Sequence, residues 1–282
     1  MVTYMVILNW NGLSDTRECL DSLKRVEEDI KIVVVDNASQ GDDCKIIKKE
    51  HPEVILIENT QNLGYTGGNN AGIKYALKQR DCSDIMTLNN DTCVKPDFLY
   101  ELKRYLNDKM VVSPKILYYG SDVIQNMGGR ISHLLGGTIN IYTGRPSEKC
   151  TAPVSPDLLS GCCFLASRKA FEEIGLFDEK YFLYAEDLDW SFRARKKGYE
   201  LIVLPRSIIW HKHSKSNKES FKKVYFIARN HIYFARKNLG GIKKIIFILA
   251  GIFSGFILNV IRQRNITFIP HYLKGIKDGF HM

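Results

Sequence analysis

Three short aliphatic runs, Val2 to Leu8, Lys31 to Asp36 and Asp84 to Leu88, each give way to polar residues: Asn9, Asp36-Asn37 and Asn89-Asn90-Asp91. The second run, Lys31-Ile-Val-Val-Val-Asp36, is β-branched without polar alternation, which marks a strand covered on both faces of a parallel sheet. Between the runs the spacing predicts helices from Ser14 or Asp15 to about Val26, over 42–50 and over 68–79, with another strand at 54–57. Strands and helices alternating at this interval form βαβ units. The chain therefore reads as α/β, with a mostly parallel central sheet flanked by helices. Ligands of open sheets bind beyond the carboxyl ends of the strands, where this chain collects its Asn and Asp residues.

Further along, a helix is predicted from Pro96 to about Asn107 and a strand over 111–116. The glycine-punctuated stretch 120–150 suggests hairpins or an ordered loop. A strand at 158–166, a helix at 168–174 closed by Gly175, a helix from Glu186 to about Lys197 and a strand at 200–204 follow, then Ile208 to His213. Tyr65 to Asn70 open the third helix, and the Gly67-Gly68 pair suits either a turn or a phosphate at a free helix N-terminus. The absence of GxGxxG and GxxxxGK[ST] counts against a dinucleotide dehydrogenase and a P-loop enzyme.

Charge divides the chain. Of 40 basic and 31 acidic residues, 19 and 3 respectively fall after residue 190, so the C-terminal part is the cationic one. Within it, residues 245–261 are almost entirely apolar and are bracketed by Lys243-Lys244 and by Arg262 and Arg264. This juxtaposition points to an anionic membrane surface rather than to nucleic acid. Its length leaves a short span, an interfacial helix and a buried core helix all open. Gly251 and Gly255 form a small-xxx-small pair through which two such helices could pair as a homodimer. The expected division is a body over 1–213, with halves 1–110 and 111–213, and a helical basic and apolar region over 214–282. Seven cysteines without metal-type spacing indicate free thiols. The start, MVTYMVILNW, reads as a strand and not a secretory signal, which places the body in the cytoplasm, peripheral to the inner face of the membrane.

Two places carry chemistry. Asp91 ends a buried strand, where a carboxylate serves either a turn or a hard divalent ion such as Mg²⁺ or Mn²⁺. Tyr184-Ala-Glu-Asp-Leu-Asp-Trp190 crowds three carboxylates into four positions. A helix beginning at Glu186 spreads them over different faces, and its first turn favours negative charge in any case. Trp210-His211-Lys212-His213 could complete a mixed nitrogen and oxygen site or be a surface histidine pair.

Taken together, Asp36-Asn37-Ala-Ser, Asn62-Leu-Gly-Tyr-Thr-Gly-Gly-Asn-Asn-Ala-Gly-Ile73, Leu88-Asn-Asn-Asp91, Gly161-Cys-Cys-Phe-Leu, Gly175-Leu-Phe-Asp-Glu179, Tyr184 to Trp190, Trp210-His211 and Ala228 to Lys237 resemble the ordered motifs of family 2 glycosyltransferases. These are inverting enzymes of the GT-A fold, and the nearest pattern is the rhamnosyltransferase-like subgroup. The resemblance covers about residues 3–237. One departure is Asn89, where the fold's metal motif usually has a first Asp. The resemblance implies a dTDP-, UDP- or GDP-linked sugar donor bound around Asn9, Asp36, Asn37, Gly68, Asn69, Asn70, Asn90 and Asp91. It implies a divalent cation on Asp91 and His211, and Asp187 as general base. The acceptor, lipid-linked or a polysaccharide, would meet Gly161, Glu186, Asp189 and Trp190. A glycoside hydrolase would need a second working carboxylate, and a nucleotidyltransferase a glycine-rich loop after the first strand. A nucleotide-sugar binding protein without transfer activity is the non-enzymatic alternative.

Overall fold

The computed structural model describes residues 2–212, 221–258 and 266–282; His213 and the end of the apolar run at 259–261 lie outside them. The first half alternates as expected: β1 (Val2–Asn9), α1 (Leu13–Leu23), β2 (Ile30–Asp36), α2 (Asp43–Glu50), β3 (Ile55–Glu58), α3 (Gly64–Leu77) and β4 (Cys82–Asn89). Strands β3, β2, β1 and β4 lie side by side and parallel, with Asn9 paired to Asp36 and Leu8 to Asn89. That register brings the polar strand ends to one edge.

The second half makes the sheet mixed. It runs through β5 (Thr92–Val94), α4 (Phe98–Lys103), β6 (Met110–Tyr118), β7 (Ile124–Asn126), β8 (Gly129–Ser132), β9 (Gly137–Asn140), β10 (Cys163–Ser167), α5 (Arg168–Ile174), α6 (Glu186–Lys196) and β11 (Glu200–His211). Strand β10 runs antiparallel between β4 and β6, and β11 lies parallel to β6 and antiparallel to β5. Strand β11 is continuous across a register shift between Leu204 and Ile208, so the two expected pieces are one strand that delivers His211 opposite Thr92. The β8–β9 hairpin forms a separate two-stranded sheet from the glycine-rich stretch.

Helices α7 (Phe221–Asn238), α8 (Gly241–Phe256) and α9 (Ile269–His281) complete the described chain. They share a core with the body: Leu158, Tyr181 and Leu188 are buried with Ile232, Phe234 and Phe247. Helix α8 is two-faced. Phe247, Ile248 and Gly251 pack inward, while Ile242, Ile245, Ile246, Leu249 and Phe253, spaced as one helical stripe, are exposed. Among the described residues no helix is long and apolar enough to cross a membrane. The glycine pair also has an internal use, since a Cβ at Gly251 would run into His231 and a Cβ at Gly255 into the Tyr272 hydroxyl. The face expected to pair with another copy is thus occupied within the chain.

Candidate active site

Asp187 emerges from a strained approach. Phe182, Tyr184 and Ala185 have φ of +62°, +69° and +66°, positive values that cost side chains with a Cβ roughly 1–3 kcal/mol each. Helix α7 holds this segment in place. The Asn230 side-chain amide donates to the carbonyls of Tyr181, Leu183 and Tyr184 at 3.0, 2.8 and 2.7 Å, and Arg229 donates to those of Lys180 and Tyr181. A conformation unfavourable locally therefore persists because a neighbouring helix satisfies its backbone.

The three crowded carboxylates separate as helix α6 begins. Asp187 Oδ2 accepts the Gly161 N–H at 3.0 Å and the residue lines a cavity of about 730 Å³. Glu186 is buried beside it, and its Oε2 has no hydrogen-bond partner among the described residues. Burial raises both acids, and the charge of Asp187 adds to the effect on Glu186, which is pushed up to about 8. The two carboxyls therefore titrate as one coupled pair, both held above the ordinary carboxylate range, with Glu186 driven up further by its neighbour's charge.

Asp189 and Trp190, expected to meet the acceptor, are both buried and committed to partners within the chain. Asp189 is fully buried and accepts from Tyr181, Arg193, Lys237 and Asn238, tying α6 to α7. Trp190 is 1% exposed, packs among Phe164, Phe171 and Phe177, and donates its indole N–H to the Gly175 carbonyl at 2.8 Å. The ring offers no free face to a sugar.

At the polar strand ends, Asp91 Oδ1 lies 3.0 Å from His211 Nε2, and His211 Nδ1 lies 2.6 Å from Gln125 Oε1. Burial opposes a charge on His211, but the neighbouring Cys162 sulfur and Asp91 carboxylate outweigh it and raise its pKa. No cluster of three or more potential metal ligands occurs among the described residues. The pair itself, one carboxylate oxygen and one imidazole nitrogen, suits a cation that takes its remaining ligands from a diphosphate and water. Asn90 donates to Thr16 at 2.9 Å.

The segment Gly161-Cys162 joins the two centres. Gly161 holds Asp187, its carbonyl accepts from the Tyr65 hydroxyl at 2.6 Å, and the Cys162 carbonyl accepts from the Asn89 N–H at 2.8 Å, while Cys162 also neighbours His211 and Asp91.

Several residues expected to hold the donor are committed elsewhere. Asn9 uses its amide nitrogen on Asp36, Ser39 and Asp43 and its oxygen on Thr16. Asn37 bonds Asn59, Asn62, Leu63 and Gly64. Helix α3 starts at Gly64, four residues before the expected start, so Gly68, Asn69 and Asn70 lie inside it. Its first N–H groups are not free for a phosphate, because Gly64 donates to Asn62 and Tyr65 and Thr66 donate to the Phe182 carbonyl. Gly68 packs against Leu8, Asn69 bonds Tyr65, and Asn70 bonds Phe177 and Glu179. Asp36 differs: Asn9 and Ser39 supply three donors, which leaves lone-pair capacity on Oδ2. Sequence reading passed over Gln125, Tyr65 and Asn230, although the last two fall inside quoted motifs.

A mixed sheet with its polar residues at the strand ends, the Asp91–His211 pair and one carboxylate in a cavity fit a GT-A glycosyltransferase. The family model described as "Glycosyl transferase family 2" matches residues 4–175, and the chain belongs to that family. Among curated proteins it is similar to a low-salt glycan biosynthesis hexosyltransferase of Haloferax volcanii, 28% identical over 70% of this chain and 62% of that protein. The chain thus spans less than two thirds of that relative's length. It is 26% identical to a dTDP-rhamnosyl transferase of Shigella flexneri over 87% of this chain and 85% of that one. Among solved structures, GalNAc-T7 with UDP, GalNAc and Mn²⁺ superposes with a TM-score of 0.64 at 18% identity, covering 94% of this chain and 57% of that one.

Proposed function

We propose that the chain moves a sugar, with inversion, from a nucleoside-diphosphate donor to a hydroxyl of a lipid-linked or glycan acceptor. Asp187 is the base that takes the hydroxyl proton. The observation that carries this reading is the single step from Gly161, which holds Asp187, to Cys162, which neighbours the Asp91–His211 pair. A displacement needs a base on one side of the reacting carbon and charge neutralisation at the leaving group on the other.

Asp91 and His211 would hold a divalent cation, which supplies charge neutralisation for the departing diphosphate. Asp36 contacts the nucleoside through its remaining lone-pair capacity, and Asn9 fixes it. Glu186, buried beside Asp187, titrates with the base as one coupled pair. Asp187 is the only Asp or Glu lining the cavity among the described residues, which argues against the two-carboxylate arrangement of a hydrolase. The manganese and UDP of the GalNAc-T7 structure and the dTDP-rhamnosyl name of the Shigella relative support the donor and cation classes.

The outer stripe of α8, with Lys243 and Lys244 on the same helix, suits a helix lying in the surface of an anionic membrane. The test of the central reading is Asp187→Asn. It should lower transfer by about 100-fold or more while nucleoside diphosphate affinity stays near wild type. Wild-type turnover in that variant would remove Asp187 from the role.

A further inference from the structure

The cavity beside Asp187 permits a narrower statement about the acceptor, one that rests on the transferase reading. Its walls include Leu158, Ile227, Phe247, Ile252 and Ile276, contributed by the segment before β10 and by α7, α8 and α9. Among the described residues no Lys or Arg lines it, and its volume of about 730 Å³ falls in the range of small-molecule sites. A saccharide needs hydrogen-bonding groups around each ring, and an inner phosphate needs a counter-charge. The described lining is mainly apolar, with Asn126, Thr138, Asn140 and Ser254 among the polar exceptions, which suits a hydrocarbon chain better than a run of sugar rings.

The rim indicates where such a chain enters. Phe253, Ile257 and Leu258 line the cavity and are 70, 37 and 52% exposed, so it opens through α8. Phe253 also belongs to the outward stripe that begins at Ile242. Apolar surface is therefore continuous from the outside of α8 into the cavity, and Ser160, Tyr184 and Asp187 belong to the same wall. We propose that this cavity holds the hydrocarbon chain of a lipid-linked acceptor, drawn in past Phe253 with its polar end, bearing the reacting hydroxyl, at Asp187. A free polysaccharide has no hydrocarbon chain to fill the apolar part of the space.

Hexyl, heptyl and octyl β-glucosides, kept below their critical micelle concentrations and titrated into the full chain by calorimetry, test this. Each added methylene should tighten binding about threefold to fourfold, the transfer free energy of one CH₂ group. Ile252→Trp and Ile276→Trp, on different helices and checked for folding by thermal melting, should each flatten that dependence. Leu249→Glu, on the outer stripe, should keep it. Affinity independent of chain length, or a slope kept by both Trp variants and lost in Leu249→Glu, would overturn the assignment. Binding of UDP-, dTDP- and GDP-sugars in parallel checks the transferase reading separately, since its loss would fault that reading and leave the alkyl slope untouched.

Discussion

The backbone N–H of Gly161 meets Asp187 Oδ2 at 3.0 Å, and the same glycine's carbonyl accepts the Tyr65 hydroxyl at 2.6 Å. Gly161 thereby fixes the carboxylate from one side and is itself fixed from the other. The N–H bond favours the ionised form of Asp187 while burial favours the neutral one, and burial is the larger effect. The acid is poised to accept a proton yet is not locked in the charged state.

Glu186→Gln should stabilise the protein increasingly as pH rises. Glu186 has a folded pKa of about 8, above its ordinary value of 4.5, so its favourable contribution is complete below the ordinary value and is lost as pH climbs towards 8. The variant has no such loss. The difference in melting temperature between variant and wild type, followed from pH 4 to 9, should therefore widen with pH across that window; a constant difference would mean that Glu186 titrates normally.

Gln125 sits behind His211 as Asp91 sits before it, at 2.6 and 3.0 Å from the two ring nitrogens. A partner on the far nitrogen of a ligating imidazole orients the ring, and its removal typically costs 10–100-fold in metal affinity or activity. Gln125→Leu should weaken Mn²⁺-dependent binding of nucleoside diphosphate by about that range, and Asp91→Asn by at least as much. Binding measured in chelator should change little in either. An equal loss with and without Mn²⁺ would place these residues outside a cation site.

The parallel half of the fold was legible because its strands are continuous β-branched runs, and burial on both faces leaves no other use for them. Strand β5 was not: Thr92-Cys93-Val94 is too short to carry a pattern and exists because β11 pairs with it. The start of α3 was missed because the Phe182 carbonyl, over a hundred residues away in sequence, caps it. At the site, residue types pointed to Asp91, His211 and Asp187, but exposure is a tertiary property. Asp189 and Trp190 stand within three residues of Asp187 in sequence, yet Lys237 and Arg193 take the first and aromatic packing takes the second.

Asn230 is the buried clamp on the left-handed approach to α6, and Asn230→Ala would take the donor from the Leu183 and Tyr184 carbonyls, while that of Tyr181 keeps Arg229. Each unsatisfied buried group costs roughly 1–3 kcal/mol, although local relaxation recovers part. The variant should lose on the order of 2–3 kcal/mol in urea unfolding. Because the segment delivers Asp187, kcat should fall more than donor affinity. Equal stability with normal kcat would mean that the approach holds its shape unaided.

Gly251 permits the closest approach between α8 and the rest of the chain. A Cβ there would overlap the His231 ring and the Gly136 carbonyl, and His231 cannot easily retreat because its ring stacks on Phe247 at 4.7 Å with Nε2 3.1 Å from the Phe247 carbonyl. Overpacking at such a site costs roughly 1–3 kcal/mol. Gly251→Val should therefore loosen α8, with faster proteolytic cleavage near residue 240 and increased binding of an apolar dye. The same change should leave nucleoside diphosphate affinity intact, because Asp36 and His211 end strands, and Asp91 lies in a strand-joining turn, that α8 does not support. Unchanged cleavage and dye binding would mean that α8 accommodates the added side chain without loosening.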